Sequence, residues 1–299
     1  MIISFGITLV TFFLLRLIPG DPALAILGSS YTHKRAAAID LALGLNKPIW
    51  TQYVLFMGRL FRGNLGYSFF YNQPATSVIA SHLGPTIFLV LYAAVMAAAI
   101  SLPLGFISGI RRGGVVDQAS RVFFTVTFAM PAFWLGIILL IVFSVHLTVF
   151  PISGFGAGFA GHLYSLFLPA LTIAVGFSTV LVRSLRASTI ATLQAEFVDT
   201  ARMKGISMAR VLRRHVFRNS VLAVVAVFGV NLAYLISGTV LVENVFSLPG
   251  LGSLLVNSVS NRDYPVVQGV LMFVVLCFAL INMTIDVIYA ALDPRIKIT

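Results

Sequence analysis

Charge is what this chain has least of. Only 10% of its 299 residues are Asp, Glu, Lys or Arg, against about 25% in an ordinary soluble domain. Hydrophobic residues make up 59%. One globular core cannot hide that excess, so lipid must serve as solvent, which argues against a soluble enzyme. Cysteine is nearly absent. Cys277 stands alone in an apolar run, which excludes an internal disulfide and any cysteine-based metal motif and leaves a helix-packing role. Acidic residues are also few, nine against twenty basic ones, for a formal net charge of +11. Such a balance can mark nucleic-acid binding, but basic loops between apolar runs follow from membrane topology alone, and no nucleic-acid partner is expected. The histidines at 33, 82, 146, 162 and 215 do not cluster. There is no H-E-x-x-H, no nucleophile elbow and no Walker A sequence, so neither metal chemistry, covalent catalysis nor nucleotide binding is expected in this chain.

What is there is a series of apolar runs long enough to span a bilayer, which takes about 20 residues each. The first runs from Ile2 to Ile18, with no basic segment before it and no small-x-small cleavage pattern, and reads as a retained helix. Pro19-Gly20-Asp21-Pro22 stops it. The second covers roughly 85–110 and contains Pro103, Gly105 and Gly109, which predict a kink or a close helix contact. The third covers roughly 122–150 and is divided by Pro131. The others fall near 165–184, 219–241 and 265–290. Between the first two runs, residues 20–83 are more polar, with short helices predicted near 34–43 and 48–61. Trp50, Tyr53, Phe56, Met57 and Leu60 are spaced for one face of the second. Gly63 to Gly66 predicts a turn, and the stretches 151–164 and 243–264 predict loops.

Arg111, Arg112 and Arg121 flank one loop, and Arg183, Arg186, Arg202, Lys204, Arg210, Arg213, Arg214 and Arg218 fill or flank another. The stretches 151–164 and 243–264 contribute only Arg262. The long 20–83 segment counts weakly in this bias. An all-α polytopic protein with about six transmembrane helices and both termini cytoplasmic is the consistent solution.

The stretch 195–220 is the most informative. Ala195 to Met203 has a helical pattern in which Phe197, Ala201 and Met203 are expected to share a face. Gly205 can end that helix in a left-handed cap, and Ser207 can cap a second helix beginning at Met208. Two readings of this helix–turn–helix stand at this point. It is an amphipathic interface element held by anionic lipid, or a docking site for a cytoplasmic protein.

The order Glu196, Ala201, Gly205 resembles the coupling-loop motif of binding-protein-dependent ABC importers, with Phe197-Val198 in place of the usual alanines. The variant Glu196, Ala201, Arg202, Lys204, Gly205 is similar to that of the dipeptide/oligopeptide permease family. Other segments share the likeness: 15–22, Leu43-Gly44-Leu45 with Pro48, Gly63-Asn64-Leu65-Gly66 with Ser68, 243–252, Arg262-Asp263-Tyr264-Pro265 and Asp293-Pro294-Arg295. The resemblance covers nearly the whole chain. It implies a type I ABC importer permease fold, with a first transmembrane helix at 1–19, an extracytoplasmic loop subdomain at 20–83, and a permease core with five transmembrane helices at 84–299. The coupling loop then covers about 191–218.

The same resemblance implies the partners. These are a second homologous permease subunit, two cytoplasmic ATP-binding subunits that hold ATP and Mg, an extracytoplasmic substrate-binding protein, a peptide substrate and membrane lipid, in a bacterial or archaeal plasma membrane. Substrates implied for similar systems also include nickel chelates and glutathione-like peptides. An ion-coupled secondary transporter would favour buried mid-span acids and repeated hydropathy, neither of which is clear here. Three polar residues near or within the apolar runs are candidates for the path or gate. Glu243 reads either as a gate that contacts a peptide amino terminus or as a cap or partner of a basic group such as Arg262. Asn231 and Asn282 read either as path-lining residues or as helix–helix hydrogen-bonding groups. Asp286 reads as a structural partner near the end of the last run.

Overall fold

The computed structural model describes residues 6, 8–10, 12–13, 27 and 32–292, with the side chains at 39, 42–43, 223, 226, 230, 232–234, 236–237 and 285–292 outside that description. The expected first-helix exit at 19–22, the motif at 293–295 and the side chain of Asp286 therefore lie outside the described residues. The chain divides into two compact units. One comprises Met1–Thr86 and Pro249–Ala279, the other Ile87–Leu248 and Leu280–Thr299.

In the first unit, α1 (His33–Leu43) and α2 (Ile49–Leu60) fall close to the predicted short helices. Thr32 accepts from the Arg35 N–H to cap α1, and Gly44 ends it with φ +72°. The apolar face of α2 buries Tyr53 and Phe56 against Phe12, with Leu9 and Phe13 beside them, and the Tyr53 hydroxyl bonds Thr8 at 3.0 Å. Trp50 is exposed, although its ring meets Phe13 edge-on. The predicted turn is present, with φ +71° at Gly63 and +95° at Gly66. It leads into a two-residue hairpin, β1 (Tyr67–Ser68) and β2 (Gln73–Pro74), paired antiparallel with Tyr67 opposite Pro74. Ala75, Val78 and Ile79, at the start of α3 (Ala75–Ile110), pack with Leu251 and Leu254 of α11 (Leu251–Ser260) and with Val266 and Val270 of α12 (Tyr264–Leu292). The expected loop at 243–264 thus contains a helix. Its Leu251, Leu254 and Ser258 fall on one buried face, a period that its glycine and polar residues conceal.

The second unit is built on α7 (Phe167–Leu193). It packs against α4 (Val115–Ala129), α5 (Ala132–Leu139, continued as a π-helix over Leu140–His146) and α10 (Phe217–Val245). A short α6 (Gly158–Ser165) precedes it. Phe177, Leu181 and Leu185 of α7 share one core with Leu89, Ala93 and Ala97 of α3 and Val242 and Phe246 near the end of α10. Glycine makes the α3–α7 contact close. A Cβ at Gly105 would stand 2.8 Å from Leu185 Cβ, and one at Gly109 would stand 2.6 Å from Thr189 Cβ, so the tight contact predicted from these glycines is present.

Among the described residues, three helical stretches are long and apolar enough to cross a membrane: Ala75–Ile110, Phe167–Leu193 and Tyr264–Thr284. The pair α4 and α5 makes a fourth if its 107° bend, at Met130-Pro131, lies within one span. Pro131 therefore divides this region as expected, and more sharply than a kink. Of the six expected spans, the first lies largely outside the described residues, and the fifth falls within α10, several of whose side chains are undescribed. The window of α7 is 72% buried against 33% for α3 and α12. α7 is therefore the central helix of its unit, while Ile87, Leu91 and Val95 leave an exposed apolar stripe on α3.

Candidate functional site

The helix–turn–helix forms within the second unit. α8 (Glu196–Met203) opens with Glu196 and Asp199 in its first turn, where negative charge meets the positive helix end. Gly205 has φ +76°. In that left-handed conformation the Gly205 N–H donates to Arg202 O at 2.9 Å and the Ile206 N–H to Ala201 O at 3.2 Å, which closes the helix end. Ser207 precedes α9 (Met208–Val211) in an extended conformation, but its side chain makes no cap hydrogen bond. α9 continues as a π-helix over Leu212–Val216 and runs directly into α10. A single-turn π segment of this kind often marks a functional position in a helix.

Val198, Ala201, Val211 and Val216 form a small core with Phe106, Leu193 and Ile206 around it. This corrects the expected apolar face. Ala201 is buried, but its partner on α8 is Val198. Phe197 and Met203 are 43% and 86% exposed. Residues 198 and 201, three apart, meet the valines of the following segment, and that packing selects the face. Glu196, Phe197, Thr200, Met203 and Lys204 all stand in the open. Arg202 lies 3.9 Å from Asp199 and donates toward Met208 Sδ at 3.5 Å, with both charged groups about half exposed. The turn therefore presents a mixed apolar and charged surface on a packed base.

The three path candidates fall on two helices. Asn231 and Glu243 both lie on α10, about 18 Å apart along its axis. The Asn231 amide donates to Val227 O at 2.8 Å within its own helix. Glu243 is fully buried. Asn282 sits on α12, partly buried. Sequence spacing gave no hint of a further polar pair. Arg186 Nε donates to Asp117 Oδ1 at 2.6 Å and its Nη2 to Oδ2 at 2.9 Å, joining α7 to α4. The Gly113 N–H also donates to Asp117 Oδ2 at 2.9 Å. The only available signal was an aspartate in the first turn after Gly113-Gly114.

Apolar helices of spanning length, with a basic helix–turn–helix set between two of the longest, define a polytopic membrane protein. Residues 101–298 match the family described as "Binding-protein-dependent transport system inner membrane component", and residues 1–90 match the N-terminal family of the same membrane components. The chain belongs to this family, and is therefore a membrane component of a transport system. It is 35% identical to "Probable peptide ABC transporter permease protein y4tP" of Sinorhizobium fredii, over 96% of this chain and 92% of that protein. It is 34% identical to "Di/tripeptide transport system permease protein DppB" of Pseudomonas aeruginosa, over 98% of this chain and 94% of that one. Among solved structures, the MetNI methionine ABC transporter in inward-facing conformations shares the fold. Its TM-score is 0.59 at 15% identity, over 73% of this chain and 97% of that one. An amino acid ABC transporter crystallised with histidines gives 0.57 at 13% identity, over 71% and 93%.

Proposed function

We propose that this chain is the permease subunit of an ATP-driven, binding-protein-dependent importer of dipeptides or oligopeptides. In this reading it has six spans, both termini are cytoplasmic, and it forms half of the translocation path beside a second, homologous permease. Two cytoplasmic ATP-binding subunits supply the energy, and an extracytoplasmic binding protein delivers the peptide. The observation that carries the reading is near end-to-end similarity to relatives named as peptide permeases. The exposed surface of α8 supports it from the physical side.

Glu196, Phe197, Met203 and Lys204 give that surface charge and apolar area together. Val198 and Ala201 fix it to the body of the unit, so a push on α8 passes into α3 through Phe106 and into α10 through the continuous segment at 208–217. Glu196 and Arg202 would make charged contacts with an ATPase surface, and Gly205 would let the turn approach it closely. ATP-driven closure of the ATPases would then favour one of two arrangements of the helices.

The test is to recover the tagged protein from gently solubilised membranes, identify what accompanies it, and assay ATP hydrolysis. A second permease, ATP-binding subunits and a binding protein carrying a peptide support the reading. A binding protein loaded with a nickel chelate or glutathione changes the substrate. This chain alone, transporting on an ion gradient in liposomes, overturns the importer.

A further inference from the structure

We infer that a cavity between α4 and α7, beside the end of α3, binds the phosphate group of an anionic phospholipid. The cavity has a volume of about 280 Å³ and is lined by Ser108, Asp117, Ser120, Arg121, Arg183 and Arg186 among others. Three guanidinium groups face one carboxylate, and that carboxylate is already occupied. Both Asp117 oxygens accept from Arg186, and one also accepts from the Gly113 N–H. Arg121 and Arg183 have no ion-pair partner within 4.0 Å among the described residues. Arg183 lies over the Phe128 ring at 5.5 Å, a stacking that steadies the guanidinium plane and leaves its N–H edges free. The cavity thus retains a net positive charge.

A second observation points independently to a missing acceptor. The Ser108 hydroxyl is fully buried, lines this cavity and has no hydrogen-bond partner among the described residues. Buried hydroxyls are normally satisfied, and an anionic oxygen placed here would accept from Ser108 and from the free arginines together. Guanidinium groups match phosphate oxygens in geometry as well as charge.

The position selects lipid as the source. Ser108 is two residues from the end of α3, and Asp117 is in the first turn of α4, on either side of the Arg111-Arg112-Gly113-Gly114 turn. An apolar helix ends where the headgroup layer begins. On α4, Val122, Phe123 and Val126 form an exposed apolar face on the same helix that carries Asp117 and Arg121. Acyl chains would cover that face, whereas a soluble phosphate would leave it bare. The site requires only residence in a membrane and is independent of the transported substrate.

The test uses the assembled transporter, purified in mild detergent and depleted of lipid. It is titrated with phosphatidylglycerol, phosphatidylcholine or inorganic phosphate, and bound lipid is counted by native mass spectrometry. Phosphatidylglycerol is expected to be retained in preference to phosphatidylcholine and to resist displacement by millimolar inorganic phosphate. Arg121→Gln with Arg183→Gln should weaken retention about tenfold, the loss of two charge-assisted contacts. Ser108→Ala removes only the unpartnered hydroxyl and should weaken it several-fold in a chain that folds normally. Arg186 is left intact, because removing it would leave Asp117 buried and unpaired. Equal retention by wild type and both variants overturns the site. Displacement by inorganic phosphate overturns its assignment to lipid.

Discussion

Asp263 shows how much one buried polar contact fixes in the first unit. Its side chain is 3% exposed, and the Ser68 hydroxyl donates to its carboxylate. The Tyr71 N–H donates in turn to the Ser68 oxygen at 3.0 Å, so one contact ties the β1–β2 hairpin to the residue before α12. Burial pushes the Asp263 carboxyl above its ordinary range, and hydrogen bonds from Ser68 and the Val266 backbone partly offset this. The folded state therefore holds its proton to higher pH than the unfolded chain, whose value is about 3.9. Stability from this group is full below that value and declines as pH rises through the raised folded value. Ser68→Ala removes a donor that favours the ionised carboxylate and should cost about 1–2 kcal/mol locally where the carboxyl is ionised. Hydrogen exchange at 67–74 should quicken at pH 7, and the difference from wild type should shrink below about pH 4, where the carboxyl is protonated in both states. Equal exchange at pH 7 would show that the hairpin is held by its apolar contacts alone.

At the scale of elements, two glycines in one helix separate contact from conformation. A Cβ at Gly84 meets nothing within 4 Å among the described residues, whereas at Gly109 it would overlap Thr189 Cβ at 2.6 Å and approach Arg186 O at 3.2 Å. Gly84→Ala should be neutral or stabilise α3 by up to about 1 kcal/mol. Gly109→Ala should destabilise by about 1–3 kcal/mol through overpacking against α7. Thermal unfolding of the two variants in detergent should move in opposite directions or, at the least, differ in that order.

Gly205 poses a different question, because no atom of the described residues lies within 4 Å of a Cβ there and only its φ of +76° demands glycine. Asparagine tolerates that φ. Gly205→Asn should therefore preserve the fold yet lower transport several-fold, since its side chain fills space that the proposed ATPase contact needs. Unchanged transport would remove Gly205 from the docking surface.

The helix–turn–helix, the Gly63–Gly66 turn and the Gly105–Gly109 contact were legible because glycine positions announce backbone shape and close approach. Other features were hidden by competing signals. α3 begins at Ala75, not near Pro85, because a proline inside a membrane helix is tolerated where a soluble helix would break. The short α11 was hidden by its polar residues. Phe197 and Val198 are both plausible partners for Ala201 on an isolated helix. Only the contact with Val211 and Val216, a property of the folded unit, decides between them.

At the scale of the whole molecule, the distribution of charge is the argument for orientation. Eight basic residues lie between 183 and 218, with three more at 111, 112 and 121, whereas the stretches 151–164 and 243–264 hold Arg262 alone. Basic residues in short loops are retained on the cytoplasmic side, so the topology proposed above expects the α8 surface on the side of the ATP-binding subunits and the 20–83 segment outside. The single native cysteine makes this directly measurable. With Cys277→Ser as background, Asn46→Cys and Ser207→Cys each place one thiol at an exposed position. A membrane-impermeant maleimide added to intact spheroplasts should label Asn46→Cys and should reach Ser207→Cys only after permeabilisation. The reverse pattern would put the helix–turn–helix outside, away from any ATP. No rearrangement of the docking residues could then rescue the coupling role of α8, because the energy source and the element proposed to receive it would lie on opposite sides of the membrane.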